Sequence, residues 1–412
     1  MAGAMNDREA TRGRPRLLYV VTEDWYFLSH RLTMARAARD AGFEVHVATR
    51  VADGAARIKA EGFVLHPIPF VRGRLSPSGT VATIAALRRV HADVAPAIAH
   101  HVALQASVLG SLAALGHPAA RVNAMTGFGY TFTSSRLKAR LMRRVVGALL
   151  RILFDRHGSI ALVQNPDDRQ SLLSLGIAPE RIALVAGSGV EVDHFKPMPE
   201  PAGPPTAAFV GRLLDDKGIR ALVAAMRLLR QRGSTVALLI AGTPDRANPT
   251  SVPLPEVESW GRDAAITWLG NVEDIAGLWA RAHIAVLPSR REGLPKALLE
   301  AAACGRAMIA ADVPGCREIV VPGKTGLLFP VDDAAALAEA IETLAADKSL
   351  RAKFAENARR MVVERFSDTI VARQIVDLYR SMLEAAAAKG ESGAADTAPY
   401  RDMRTPASDG PP

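Results

Sequence analysis

Two glutamates, Glu292 and Glu300, are separated by seven residues in the segment REGLPKALLEAAACGRAMIAADVPGCREIV (291–320). Pro295 lies between them, and proline is accepted where a helix begins because the N–H it lacks would have no intrahelical partner there. Glu292 is therefore expected in the loop before a helix and Glu300 on the helix itself, an arrangement unlike an acid/base couple working on one bond. A second constellation, GRLLDDKG (211–218), joins a strand end to a helix start. Arg212 offers a planar fork for phosphate oxygens and Lys217 a point charge, so the two can bracket one anion. Gly218 near the helix start lets backbone N–H groups approach the same anion. Neither the GxxxxGK[ST] of a Walker loop nor a GxGxxG dinucleotide fingerprint is present. The plain alternative is a charged loop with no ligand.

The elements that must position these residues follow a repeating pattern. At 412 residues the chain is too long for one ordinary core and predicts about two domains. Apolar strand runs at 17–21, 44–49, 64–67, 95–101, 120–125 and 160–164 alternate with helical patterns at 27–41, 80–89, 105–115 and 167–175. This is the signature of a doubly wound α/β sheet, whose binding loops lie at the carboxyl ends of the strands. PMPEPAGPP (197–205), with five prolines in nine residues, reads as a stiff linker. The pattern then restarts with strands at 206–210, 236–242, 265–268, 284–287, 307–310 and 325–329. The expected organisation is thus a first α/β domain over 16–196, the linker 197–205 and a second α/β domain over 206–366. A C-terminal helix over 367–386 is expected to cross back to the first domain. Residues 1–15 and the Gly/Pro/Ser/Asp-rich 387–412 are expected to be disordered.

Composition narrows the classes. Hydrophobic residues make up 49% and charged residues 23%, so there is ample material for globular cores. No apolar run approaches the roughly 18 residues of a membrane span, and the first residues lack the apolar core of a signal peptide. Two cysteines, Cys304 and Cys316, make neither a disulfide framework nor a zinc cluster, which leaves cytoplasmic residence as the default. The net charge of +9 lies wholly in the first half: residues 1–200 carry 25 Lys/Arg against 16 Asp/Glu, and residues 201–412 carry 26 of each. Within that half, SSRLKARLMRRVVGALLRILFDRHG (134–158) sets Leu137, Leu141, Val145, Ala148, Leu149 and Ile152 at helical spacing. Arg136, Lys138, Arg140, Arg143, Arg144, Arg151 and Arg156 decorate the remainder, against the single acid Asp155. Such a helix either packs one face on its own domain or lies on an anionic bilayer surface. No aromatic-interleaved RNA motif or zinc module supports nucleic acid as a partner.

GRLLDDKG, PSRREGLPKALLEAAACG (288–305) and PGKTGLLFPVDD (322–333) together resemble the retaining glycosyltransferases of family 4, and the resemblance extends over about 16–385. It implies the GT-B fold, an α/β architecture of two tandem Rossmann-like domains facing across a cleft. It also implies a nucleotide sugar as donor substrate, with no bound metal or other cofactor. Arg212 and Lys217 would then stabilise the diphosphate leaving group, the electrostatic contribution that is usually largest. Backbone N–H groups near Gly293 and Leu294 would add to it. In the family pattern the first glutamate, here Glu292, lies by the donor sugar, and the second, Glu300, accepts hydrogen bonds from the ribose hydroxyls. Arg290, Arg291 and Lys296 are lesser candidates for phosphate contact. LGNVED (269–274) resembles the loop beside the nucleotide base, which makes Asn271 and Val272 candidates for backbone contacts. His100–His101 falls where relatives carry a catalytic-loop histidine, and His101 is the favoured one.

The first half further resembles a bacterial subgroup, through VTEDWYFLSHRLTMARAARDAGFEVHVAT (21–49), VNAMTGFGYTF (122–132) and VQNPDDRQSL (163–172). Those enzymes build surface polysaccharides or protein-linked glycans by adding an N-acetylated hexosamine or related sugar to a polyprenyl-diphosphate-linked saccharide. The resemblance makes Gly127 and Gly129 points of close approach, Asn165 a sugar contact, and Glu23, Phe27, His30 and Arg31 the lining of the first loop. His30 or Arg31 would meet the acceptor phosphate. A lipid-linked acceptor gives helix 134–158 a purpose on anionic inner-leaflet lipid, with the enzyme peripheral on the cytoplasmic face. The rivals are a GT-B transferase with another acceptor (phosphatidylinositol or a soluble sugar), a sugar-nucleotide epimerase, and a non-enzymatic nucleotide-sugar-binding protein.

Overall fold

The computed structural model describes residues 13–71, 76–125, 137–156, 158–245 and 247–392, with the backbone alone at 137–145 and 389–392. The chain divides into two compact units, Met1–Ser188 with Val371–Pro412, and Gly189–Ile370. Unit 1 carries β1 (Arg16–Glu23), β2 (Glu44–Arg50), β3 (Val64–Pro67), β4 (Ile98–Val102), β5 (Ala120–Ala124), β6 (Ser159–Val163) and β7 (Ile182–Leu184). They pair in the order β3-β2-β1-β4-β5-β6-β7, every pair parallel. Unit 2 carries β8 (Thr206–Val210), β9 (Ala237–Ala241), β10 (Ile266–Gly270), β11 (Ile284–Leu287), β12 (Ala307–Ala311) and β13 (Gly326–Phe329). Its order is β10-β9-β8-β11-β12-β13, again parallel throughout. Each sheet reverses its strand order once, between β1 and β4 and between β8 and β11, where a doubly wound fold opens its crevice.

Burial explains why these runs become strands. Every residue of β4, β5, β6, β11 and β12 is buried, as expected of parallel strands covered on both faces. In unit 1 one face is sealed by helices Asp24–His30, Leu32–Asp40 and Ala55–Ala60, with Leu17, Tyr19, Val21, Phe27 and Phe63 in the packing. On the other face Leu18, Val20 and Leu87 pack with helices Pro77–Val94 and Ala103–Ala113. In unit 2 helix Ile219–Gln231 packs on Ala334–Ala346, and Lys296–Ala303 on Lys348–Arg365.

Several sequence expectations shift. The first helix starts at Asp24, inside the polar break. The Asp24 carboxylate is buried and accepts hydrogen bonds from the N–H groups of Ala52 (2.6 Å) and Gly54 (2.8 Å), so this acid is structural. β7 and the helices Ala55–Ala60 and Pro314–Arg317 were too short for periodicity to reveal. The proline-rich stretch 197–205 is not a free connector. The Met198 N–H reaches Cys304 O, Arg306 Nη2 donates to the carbonyls of Met198 (2.8 Å) and Pro199 (3.0 Å), and Arg351 grips Glu200. The change of unit falls earlier, at Ser188–Gly189, since Val190 N–H donates to Phe366 O at 3.0 Å and Arg359 donates to the carbonyls of Phe195 and Val192.

Helix Asp368–Ser392 passes from one unit to the other between Ile370 and Val371. Its Tyr379 is fully buried in unit 1, with its hydroxyl 2.9 Å from Tyr19 Oη and 2.5 Å from His100 Nδ1. Gly127 and Gly129 lie outside the described residues, as do 1–12 of the end expected to be disordered over 1–15 and 393–412 of the end expected over 387–412; residues 387–392 of the latter instead continue the last helix. Also outside the described residues are 134–136 of the basic segment and the side chains of its first turns. The described part of that helix, within Leu137–Phe154, buries Leu150, Leu153 and Phe154 against β6 and helix Pro166–Ser174. Ala148 is exposed and Ile152 is 62% exposed. Of the stripe expected from spacing, Ala148 and Ile152 thus face outward while Leu149 packs partly on the core, beside the fully buried Leu150, Leu153 and Phe154.

Candidate functional site

The site is built at the carboxyl ends of β8 and β11, the switch point of the unit 2 sheet. After β8 the chain forms a single tight turn, Asp215–Lys217, closed by Gly218 N–H donating to Asp215 O at 2.9 Å. Gly218 is required there on two counts. Its φ of +66° is left-handed, and a Cβ would stand 1.9 Å from the carbonyl oxygen of Pro288, just past β11. The β8 and β11 loops are therefore in backbone contact, which brings Lys217 to Glu292 across 75 residues of sequence.

Lys217 Nζ lies 2.6 Å from Glu292 Oε1, and both side chains are largely withdrawn from solvent. Glu292 occupies the loop before helix Lys296–Ala303, as Pro295 implied. The loop is backed by helix Pro314–Arg317, where a Cβ on Gly315 would lie 2.3 Å from Gly293 O and 2.8 Å from Glu292 O. Gly293 is buried and Leu294 half-buried in the same loop. Arg212 is exposed at the end of β8 and pairs with Asp245 at 2.9 Å. Cys316 is buried close to Glu292 and Lys217. Burial, and next the Glu292 charge, push its thiol well above the ordinary range, so it is not a nucleophile in this state.

Glu300 lies one turn into the helix, 7% exposed, with Lys296 Nζ 3.5 Å away. Burial raises its carboxyl to about 6; Lys296 opposes the rise and Glu191 adds to it. Asn271 and Val272 follow β10 on the same edge of the sheet, in a loop tied to the one after β9 by Gly242 N–H donating to Gly270 O at 2.7 Å. Strand spacing of about 4.8 Å puts β10 about 14 Å from β11, so these residues share the edge with the charged cluster without joining it.

Two expectations require correction. His101 is fully buried in unit 1, under helix Ala103–Ala113, where Gly110 leaves room for its ring. Its Nδ1–H donates to Asn123 Oδ1 at 2.8 Å, an oxygen that also receives Ser111 Oγ–H at 2.9 Å. Burial lowers its pKa to about 4, so the ring is neutral near pH 7 and reaches no solvent. Fully buried, the ring has no exposed atom with which to meet a substrate directly. His100, on the opposite face of β4, stacks on Tyr19 and is equally buried. Arg290, expected at phosphate, instead reaches Asp332, with Nε 2.9 and 2.8 Å from its two oxygens. In unit 1, Glu23 pairs with Arg50, Phe27 and Arg31 are buried, and Asn165 caps helix Pro166–Ser174 by accepting the Asp168 N–H at 2.8 Å. His30 stacks on Tyr26, ring centroids 4.1 Å apart.

Asp245, Asp332 and Glu191, all placed at the site by the fold, escaped the sequence reading. Only Asp332 had a signal, the PVDD of 330–333. Among the described residues no group of three or more His, Cys, Asp or Glu is arranged to hold a metal ion. What the cluster offers an anion is Lys217 and the loop before a helix N-terminus, with a carboxylate beside Lys217 where ligand hydroxyls could be held and Arg212 at the end of the neighbouring strand β8.

The comparisons with known proteins agree with this geometry. Residues 191–361 match the family described as glycosyl transferases group 1, and residues 16–164 match glycosyl transferase 4-like. The chain is 25% identical over 380 residues to the N,N'-diacetylbacillosaminyl-diphospho-undecaprenol alpha-1,3-N-acetylgalactosaminyltransferase of Campylobacter jejuni, covering 87% of this chain and 98% of that one. It is 28% identical over 387 residues to the phosphatidyl-myo-inositol mannosyltransferase of Mycolicibacterium smegmatis, covering 89% and 93%. Among solved structures, sucrose-phosphate synthase from Thermosynechococcus elongatus superposes with a TM-score of 0.76 at 22% identity over 90% of this chain and 100% of that one. HepE from Anabaena in complex with UDP and glucose gives 0.70 at 18% over 89% and 99%. With both units matched by sugar-transferase families and both sheets wound as the fold requires, the chain is a glycosyltransferase of GT-B architecture related to the family 4 sugar transferases.

Proposed function

We propose that the protein is a retaining transferase that moves a sugar from a nucleoside diphosphate donor to a polyprenyl-diphosphate-linked saccharide, in the synthesis of a surface polysaccharide or glycan. The donor in this reading is a UDP-linked N-acetylated hexosamine. The observation that carries the donor half is the 2.6 Å contact between Lys217 and Glu292 at the β8/β11 switch point. A diphosphate arriving there offers Lys217 a stronger anionic partner and leaves the Glu292 carboxylate to orient sugar hydroxyls. Arg212 and Lys217 then meet the charge that grows on the leaving phosphate, Glu300 accepts from the ribose, and Asn271 and Val272 flank the base.

The bond from the anomeric carbon to the phosphate oxygen breaks, and the acceptor oxygen bonds to that carbon on the same face. The acceptor's proton passes to the departing phosphate. In this reading no side chain is needed as base.

The acceptor half rests on the relative from Campylobacter jejuni, whose name specifies an undecaprenol diphosphate-linked substrate, and on helix Leu137–Phe154. Exposed Ala148 and Ile152 on that helix, with a basic sequence around them, suit the surface of an anionic bilayer. Among the described residues no helix is long and apolar enough to cross a membrane, so the attachment in this reading is peripheral. A phosphatidylinositol acceptor is the second reading, favoured by the mannosyltransferase relative.

A panel of nucleotide sugars with polyprenyl-diphosphate saccharide and phosphatidylinositol acceptors tests the whole proposal. Transfer to the first acceptor that collapses in Glu292→Ala is the expected result; undiminished transfer by that variant overturns the donor site. Flotation with anionic and neutral vesicles tests the membrane part, and equal recovery with both would remove its electrostatic basis.

A further inference from the structure

We propose that Arg290 and Asp332 act together as a positioning device for Lys217, an inference that rests on the donor-site reading above. The turn Asp215–Lys217 is a single turn, closed by Lys217 N–H donating to Leu214 O (3.0 Å) and Gly218 N–H to Asp215 O (2.9 Å), yet it carries the cation that must be fixed for electrostatic stabilisation to cost no reorganisation. Arg290 adds a restraint from the β11 loop. Its backbone N–H donates to Asp216 O at 2.9 Å and its Nη1 to Asp215 O at 3.3 Å, so one residue holds two successive carbonyls of the turn. The guanidinium is aimed by Asp332, which accepts from Nε through both carboxylate oxygens.

Asp332 is one of three non-glycine residues with positive φ among those described, at +64°. Such a conformation persists only where its surroundings fix it. Here it turns consecutive acids to separate tasks. Asp332 faces Arg290, while Asp333 caps helix Ala334–Ala346 by accepting the N–H groups of Ala335 and Ala336. On the far side of the turn the Asp215 carboxylate pairs with Arg220, which Glu256 holds through both oxygens at 2.6 and 2.7 Å. The turn is thus gripped by a carboxylate-aimed arginine on each side, and the PVDD segment acquires a role at a distance from the substrate.

Titration calorimetry of the full chain with UDP and with UMP separates this from a direct phosphate contact by Arg290. Positioning predicts that Arg290→Ala weakens UDP by about threefold to tenfold while UMP changes by less than about twofold, since Lys217 addresses the terminal phosphate. Asp332→Asn should weaken UDP in the same direction, and the double variant should be no worse than Arg290→Ala. Were Arg290 itself a phosphate ligand, Asp332→Asn would leave UDP binding unchanged or tighten it, and that result overturns the proposal. Wild-type UDP binding in both variants, with binding lost in Lys217→Ala, also overturns it while leaving the donor site intact. Wild-type UDP binding in Lys217→Ala removes the site and the proposal together. An unchanged thermal midpoint in each variant shows that the loss is not one of folding.

Discussion

The two units share a parallel, doubly wound sheet but place their polar side chains differently. Unit 1 carries them inside: His91, His100, His101, Ser107, Ser111, Asn123, Ser159 and Arg31 are all buried. Most are joined by short neutral hydrogen bonds, as in the run from His101 and Ser111 through Asn123 to Ser159. Unit 2 carries its charges at the strand ends as ion pairs, Arg212–Asp245, Lys217–Glu292 and Arg290–Asp332. A neutral network in a low-dielectric interior fixes packing and is costly to leave half-satisfied. Pairs at a loop edge can exchange one anion for another. The same fold therefore yields a unit whose polar groups specify its own structure and one whose polar groups are available to a ligand.

The sharpest way to break this comparison is to exchange expectations between Lys217 and His101. Lys217→Ala should lower kcat/KM by about 10²–10³ with little change in thermal midpoint. His101→Ala should do the reverse, leaving turnover nearly intact and destabilising unit 1 by about 1–3 kcal/mol through the lost hydrogen bond to Asn123 and the cavity. Loss of turnover in a well-folded His101→Ala protein would show that unit 1's interior does take part in chemistry.

A second contrast lies in pH. Burial lowers His101 to about 4 and His91 to about 3 from an ordinary 6.5. Between those values the unfolded chain holds more protons than the folded one. Unit 1 is therefore fully stabilised above pH 6.5 and loses stability as the pH falls toward 4, by about 3 kcal/mol for His101 alone. Glu300 runs the other way. Its carboxyl is raised to about 6 from 4.5, so its contribution to unit 2 is whole below 4.5 and is lost as the pH rises through 6. Calorimetric scans from pH 7.5 to 4.5 should show the first unit's transition moving down the more steeply. His91→Leu should flatten that slope, and parallel shifts of both transitions would refute the contrast.

The smallest expected effect concerns the helix shared by both units. Tyr379→Phe removes a hydroxyl bonded to Tyr19 and His100, and should cost unit 1 about 1 kcal/mol without altering UDP affinity. A change in UDP affinity would mean that the helix also shapes the donor site.

Much of this was legible in the residues. Strand runs such as LLYVV and TAAFV, the glycine at 218 and the proline at 295 act through local sterics and burial, so their consequences follow from sequence directly. Hence the α/β class, the two restarting patterns and the loop position of Glu292 could be read before any coordinates. The turn cation Lys217 and the helix carboxylate Glu300 were likewise visible as residue types in suitable local settings. Side-chain partners were not, because they are chosen by strand order. β8 and β11 are neighbours although 73 residues separate their ends, and that adjacency alone sets Lys217 against Glu292 and Arg290 against the turn. Alternation along β4 sent His100 and His101 to opposite buried faces, which no motif reveals. Sequence determined the elements and the chemistry each could offer; the tertiary structure decided which groups meet, because pairing across a sheet depends on topology and not on separation along the chain.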